Sequence, residues 1–98
     1  MNEEKYINQG ASECIDVFIS LCIPVFRPQT AKEIEDNLRF KSDKTFRMLK
    51  TLEHKGLVRK VNDRWEVTPD IVKISDGFRR YVAQKRTELE TLNREYLS

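Results

Sequence analysis

A helical pattern that stops at a glycine and passes directly into two short alternating segments is the most constraining feature of this sequence. A glycine can adopt a positive φ at no steric cost, so Gly56 is predicted to end the preceding helix cleanly. The segments that follow it, residues 57–61 and 65–67, flank a polar turn at residues 62–64. This pattern predicts a β-hairpin. Within the hairpin, the alternation of apolar and polar positions predicts that Trp65 is a core side chain.

Two helices are predicted before the hairpin. Thr30 and Glu33 form a capping-box pattern, which predicts that a helix starts there and runs to about Arg39, after the loop at residues 27–29. Ser42 is predicted to be the N-cap of the next helix, which is predicted over residues 43–55. The predicted core positions of these two helices are Ile34 and Leu38, then Thr45, Met48, Leu49 and Leu52, with Phe40 as an apolar residue between the helices.

The first helix of the chain is predicted from near Glu4 or Ala11 to about Ile23, where Pro24 and Pro28 end it. Its apolar stripe is wider than the roughly 100° of an ordinary surface helix, which predicts burial on more than one side. The stripe consists of Ile7, Ala11, Cys14, Ile15, Phe18, Leu21 and Cys22, widened by Val17, Ile19 and Ile23.

The last helix is predicted over residues 69–98, with Thr68 as its N-cap and Pro69 as its first helical residue. Its apolar residues recur in steps of three and four, and a long helix gains stability mainly by packing. The two terminal helices therefore predict a homodimer; the alternative is that the first helix packs under the last within one chain. The predicted dimerisation residues are Phe18, Phe78, Val82, Leu89, Leu92 and Tyr96.

The length of 98 residues predicts one domain, 1–98, that is mainly α with a small β-hairpin in the order α-α-α-β-β-α. Its core is expected at residues 11–68. Two cysteines and one histidine are too few for a structural zinc site, so no metal and no cofactor are expected. The sequence also offers no nucleophile–base pair, carboxylate pair or glycine-rich phosphate loop, which argues against an enzyme. A polar start and the absence of a long apolar run predict a cytoplasmic protein with reduced thiols.

The net charge of +2 conceals an uneven distribution along the chain. Residues 1–38 carry a net charge of −4, whereas residues 39–64 carry nine basic and three acidic side chains and a net charge of +6. A concentrated basic block is expected of a surface that meets phosphates. The alternative is an ordinary solvated surface.

Residues 30–69 resemble the winged helix-turn-helix regulators of the IclR and MarR type. The matching text is TAKEIEDNLRF, KSDKTFRMLKTLEHKGLVRKV and RWEVTP, although Arg39 stands where the family often has glycine. The resemblance implies a winged-helix fold with the helix-turn-helix at residues 30–55 and the wing at residues 57–67. It also implies sequence-specific binding to double-stranded DNA and a role as a transcriptional regulator. The chain is too short to include the effector domain of the IclR type, and neither a small-molecule ligand nor a membrane is expected as a partner.

The resemblance implies that the recognition helix, residues 43–55, enters the major groove and that the wing touches the backbone or minor groove. Lys44 and Arg47 are expected to contact bases or phosphates, and Lys50 a phosphate. Phe46 either packs on thymine methyl groups or packs back against the wing or the first helix. The full set of predicted DNA-binding residues is Lys41, Ser42, Lys44, Phe46, Arg47, Lys50, Arg59, Lys60 and Arg64.

Two other functions fit the same sequence. The first is a winged-helix module that binds another protein and never touches DNA, because a fold does not determine a function. That module would have an apolar or mixed surface on the recognition helix. The second is a DNA-binding accessory protein, for instance in plasmid or phage replication.

Overall fold

The computed structural model describes residues 3–97 and is mainly helical, with one two-stranded antiparallel hairpin and a long C-terminal helix. The chain divides into two compact units, and the boundary lies between Thr68 and Pro69. The elements are a short 3-10 helix (Glu3–Tyr6), α1 (Gln9–Cys22), α2 (Ala31–Leu38), α3 (Ser42–His54), β1 (Val58–Val61), β2 (Arg64–Val67) and α4 (Ile71–Leu97).

The first two helices begin at side-chain caps. The Asn8 side chain accepts a hydrogen bond from the backbone N–H of Ala11 at 3.0 Å, so α1 starts at Gln9, between the two predicted starts. Thr30 Oγ1 accepts from the N–H of Glu33 at 3.1 Å, which confirms the predicted cap of α2. The carboxylate of Glu33 does not complete a reciprocal capping box, because it pairs with Arg64 at 3.0 Å.

The ends of α2 and α3 depend on residues in the left-handed region. Arg39 is the C-cap of α2, with φ 59° and ψ 41°. This is the position at which the IclR and MarR type of regulator, which the sequence resembles, often has glycine. Gly56 has φ 76° and follows the C-cap of α3, which confirms its predicted role. The prediction for Ser42 was wrong, because Ser42 is already helical and Lys41 is the N-cap, without a side-chain hydrogen bond.

The hairpin is tighter than predicted. Its register pairs Val58 with Val67 and Val61 with Arg64, so Arg64 belongs to β2 rather than to the turn. The turn consists of Asn62 and Asp63, with φ of 51° and 64°. Two consecutive positive φ values are typical of the type I′ turn, whose twist matches that of the strands.

The predicted start of the last helix was also wrong. The helix α4 begins at Ile71, two residues after Pro69. The hydroxyl of Thr68 donates to the backbone carbonyl of Gly56 at 2.5 Å, within the first unit. Thr68 therefore ties the end of β2 to the end of α3.

The core of the first unit lies where α1 packs against α2, α3 and β2. Trp65 is only 3% exposed, which confirms the prediction that it is a core residue. The buried apolar residues are Val17, Leu21, Ile34, Leu49, Leu52, Val58 and Trp65, with Cys14, Phe18, Leu38, Phe40 and Met48 packed against them.

The predicted burial of α1 on more than one side is not observed within this unit. Val17 and Leu21 are its buried residues, whereas Ile7, Ile15, Ile19 and Ile23 are exposed. Phe18, a predicted dimerisation residue, is half-buried against the core. One helical side accounts for the packing of α1, and an apolar side is left exposed to solvent.

Gln29 is a fully buried polar residue in the predicted loop at residues 27–29. Its backbone exchanges two hydrogen bonds with Trp65, at 3.0 and 2.7 Å, and so adds a bridge beside β2. Its side-chain amide donates to the carbonyl of Ser20 at 2.8 Å and accepts from Asn37 at 3.3 Å. Gln29 thus joins the end of α1, α2 and the hairpin, and its buried polar atoms are satisfied.

Replacing Thr45 by valine is expected to raise the free energy of unfolding by about 1 kcal/mol. Thr45 is fully buried, and its hydroxyl has no hydrogen-bond partner among residues 3–97. A methyl group of similar size removes the desolvation cost of that hydroxyl. Urea denaturation followed by circular dichroism measures the change, and Thr51→Val, at an exposed position on the same helix, is the control. A marked loss of stability in Thr45→Val alone would show that the hydroxyl is satisfied.

Candidate nucleic-acid interface

The helix α3 has one buried and one exposed face. Thr45, Leu49 and Leu52 are buried, and α3 contacts α1, α2 and β1. The opposite face of this 13-residue helix, about 20 Å long, is open to solvent. The fold therefore leaves one edge of α3 accessible to a second molecule.

Arg47 and Lys50 provide the positive charge at the middle of this edge. The Arg47 side chain is 77% exposed and lies 3.7 Å from Asp43, and Lys50 contacts Glu53 at 2.6 Å. Exposed pairs of this kind contribute only about 0–1 kcal/mol. A phosphate group can therefore replace either carboxylate at little cost.

Lys41 and Ser42 lie at the N-terminal end of the same edge, and both are exposed. Backbone N–H groups in the first turn of a helix lack carbonyl partners within the helix. Together with the helix dipole, these groups attract anions. Lys41 adds a full charge beside them.

The predicted DNA contact Lys44 lies between α3 and α1 and pairs with a residue of α1. Its ammonium group lies 2.8 Å from the carboxylate of Glu13 on α1 and 5.2 Å from the centre of the Phe40 ring. The Glu13 side chain is largely buried, so this pair is less accessible to solvent than those of Arg47 and Lys50. Lys44 thus links α3 to α1, and its predicted contact with DNA would require this pair to open.

Phe46 is 54% exposed on the open face of α3. It is the one large apolar side chain of α3 that is mostly exposed among the described residues. The orientation leaves the ring accessible to a partner molecule. Its predicted packing on thymine methyl groups stays a prediction.

The hairpin carries the remaining three cations of the predicted site. Arg59 pairs with Glu66 across the strands at 2.9 Å, and Lys60 lies 3.5 Å from Asp63. Arg64 reaches Glu33 at the start of α2. All three cations are exposed, and each has an acidic neighbour. The positive charge of the hairpin surface is thus partly balanced within the chain.

A shallow groove of about 620 Å³ lies between α1 and α3. The sequence pattern did not predict this groove. Ala11, Cys14, Ile15, Met48 and Leu52 form its apolar surface, and Lys44, Arg47 and Lys55 lie along it. The signal in the sequence was the surplus of apolar residues on α1. The groove adjoins the basic edge of α3, so an apolar and a basic surface meet there.

The two cysteines are free thiols in half-buried positions. Burial raises the pKa of the Cys14 thiol, and it raises the pKa of the Cys22 thiol in the same way. Both thiols are therefore protonated at neutral pH, and a protonated thiol is a poor nucleophile.

Comparison with known proteins found no match to this chain among protein-family models, curated proteins or solved structures. Within residues 3–97, no helix combines the length and apolar character that crossing a membrane requires. In the same part of the chain, no group of three or more histidine, cysteine, aspartate or glutamate side chains is arranged to hold a metal ion.

Proposed function

We propose that this protein is a winged helix-turn-helix protein that binds double-stranded DNA. The recognition helix is α3, and the β1–β2 hairpin is the wing. The observation that carries the proposal is the open face of α3, where exposed Arg47 and Lys50 follow a helix N-terminus flanked by Lys41. The order of the elements, with three helices before a hairpin and a fourth helix after it, supports the fold.

The dimensions of α3 suit the major groove of B-DNA. That groove is about 12 Å wide and admits one helix, whose N-terminal half approaches the base edges. In this arrangement Arg47 contacts a guanine or a phosphate, and Lys50 and Lys41 contact phosphates. Phe46 packs on thymine methyl groups. Asp43 either accepts from the amino group of a cytosine or stabilises the helix N-terminus as an acid.

The hairpin contributes affinity more than sequence selectivity. Arg59, Lys60 and Arg64 meet the backbone or minor groove, where contacts position the protein but carry little sequence information. Phosphates compete with Glu66, Asp63 and Glu33 for these cations. The proposed biological role is regulation of transcription in the cytoplasm, and an accessory role in DNA replication would use the same contacts.

DNA binding is expected to weaken steeply with salt. Binding to a pool of random duplexes, followed by selection and sequencing, measures both affinity and preference. Six phosphate contacts, by Lys41, Arg47, Lys50, Arg59, Lys60 and Arg64, correspond to a loss of about 10³-fold between 50 and 200 mM salt. A selected motif would support sequence-specific regulation. If no duplex binds even at 50 mM salt, the proposal is wrong.

The groove between α1 and α3 favours a second candidate function, binding to an apolar helix of another protein. Ile15 is more than half exposed beside this groove, although it is a large apolar residue. An Ile15→Asp variant separates the two functions, because Ile15 is not on the basic edge. Unchanged DNA binding in this variant supports the DNA proposal. If the wild-type protein does not bind DNA but binds a partner protein, and Ile15→Asp abolishes that binding, the second candidate is supported.

A further inference from the structure

The helix α4 carries a long apolar stripe that is largely exposed. None of its 27 residues, Ile71–Leu97, is buried, and Leu89 is 65% exposed. From Phe78 onward, successive residues of the stripe are separated by four, three, four, three and four positions. This spacing is typical of the seam of a two-helix coiled coil. The seam residues are Phe78, Val82, Lys85, Leu89, Leu92 and Tyr96.

The charge on α4 is divided between its two halves. The segment 70–86 has five basic and two acidic residues, and the segment 87–97 has one basic and three acidic residues. The two segments therefore carry net charges of +3 and −2. Two parallel copies would place like-charged halves side by side, whereas two antiparallel copies place the basic half of each against the acidic half of the other. Flanking charges of this kind select the orientation of paired helices.

Lys85 interrupts the apolar seam and favours the same orientation. In a parallel pair in register, Lys85 would face Lys85 of the second copy, which is a repulsive contact. In an antiparallel pair centred at Thr87, Lys85 faces Leu89 of the second copy and lies next to its Glu88. Lys85 already pairs with Glu88 at 3.2 Å within one chain, so both groups have the reach for such a contact.

The same centre matches every layer of the seam. With the two-fold axis at Thr87, the two residues of each facing pair lie at equal distances along the sequence before and after position 87. Phe78 then faces Tyr96, Val82 faces Leu92, and Lys85 faces Leu89, and each contact occurs twice. Aromatic pairs close both ends of the seam, and the polar layers lie near the axis.

We propose that two copies of this chain associate through α4 as an antiparallel coiled coil centred at Thr87. The paired segment extends from Phe78 to Tyr96, about 27 Å along the helix. The proposal concerns α4 alone and does not depend on DNA binding, so either proposal can fail without the other.

Sedimentation of the full chain tests the association. The wild-type protein is expected to sediment as a dimer at micromolar concentration, and Leu92→Asp as a monomer, because the carboxylate would be buried against Val82 of the second copy. Gln84→Asp adds the same charge off the seam and is expected to remain a dimer. Leu92 is exposed in the single chain, so the first unit should stay folded, as circular dichroism can verify. A monomeric wild-type protein, or a dimeric Leu92→Asp variant, overturns the proposal.

Distances between spin labels test the orientation. Labels at Gly77→Cys or Glu90→Cys are introduced into the full chain with Cys14→Ala and Cys22→Ala. A Cβ at Gly77 meets no atom within 4 Å, so this site accepts a side chain. In the antiparallel dimer the two labels at position 77 are about 30 Å apart along the axis, and those at position 90 about 9 Å apart. A parallel dimer would bring both label pairs to roughly the helix separation of about 10 Å, which contradicts the proposal.

Discussion

Replacing Trp65 by alanine is expected to lower the free energy of unfolding of the first unit by about 3–5 kcal/mol. The indole is almost completely buried in the core shared by α1, α2, α3 and the hairpin. Removal of the indole leaves a cavity. The backbone of residue 65 is held in place by two hydrogen bonds to Gln29, which limits how far the surrounding core can relax into that cavity. Small domains are stable by only about 5–15 kcal/mol, so this loss is a large share of the unit's stability. Urea denaturation monitored by far-ultraviolet circular dichroism measures the loss.

Two variants serve as controls for this result. Trp65→Phe keeps an aromatic ring in the core and is expected to cost less than Trp65→Ala. Phe46→Ala removes a large ring from a mostly exposed position and is expected to change stability by about 0.5 kcal/mol or less. If Trp65→Ala is no more costly than Phe46→Ala, the indole does not support the core as described.

Reversing the charge of Arg47 and Lys50 together, as Arg47→Glu with Lys50→Glu, is expected to reduce DNA affinity by about 100-fold or more. Loss of one specific arginine contact costs about 1–3 kcal/mol, which is roughly a 5–150-fold change. The new carboxylates add repulsion from the phosphates. Fluorescence anisotropy with a labelled duplex at 100 mM salt measures the change. The variant should stay folded, because both side chains lie on the exposed face of α3.

Arg47→Glu alone, with Lys32→Glu as its matched control, tests whether position or overall charge matters, because each change alters the net charge by the same amount. Lys32 is on α2 and, like Arg47, is 77% exposed and pairs with an aspartate four residues away. It lies outside the predicted interface, so its reversal should leave affinity nearly unchanged. Equal losses in Lys32→Glu and in Arg47→Glu would mean that DNA responds only to overall charge. Unchanged binding in both would remove Arg47 from the interface.

Local chemistry made much of the fold predictable. The Thr30 cap, the positive φ of Gly56 and the position of Trp65 each depend on a few neighbouring residues, and the structure confirms all three. The error at Thr68 has a tertiary cause. A hydroxyl near a helix start has several possible partners, and the donor or acceptor that tertiary packing brings closest decides among them. For Thr68, that partner is the carbonyl of Gly56, twelve residues earlier.

The sequence by itself determined the order of the helices, the hairpin between them and the basic block at residues 39–64, because periodicity, caps and charge are local properties. Tertiary structure decided which side of α1 is buried, the burial of Gln29 and the pairing of Lys44 with Glu13. The last pair joins residues 31 positions apart. Such contacts depend on how helices pack in space, and the apolar residues of α1 allow more than one packing side. The wide stripe of α1 therefore indicated burial without indicating its direction.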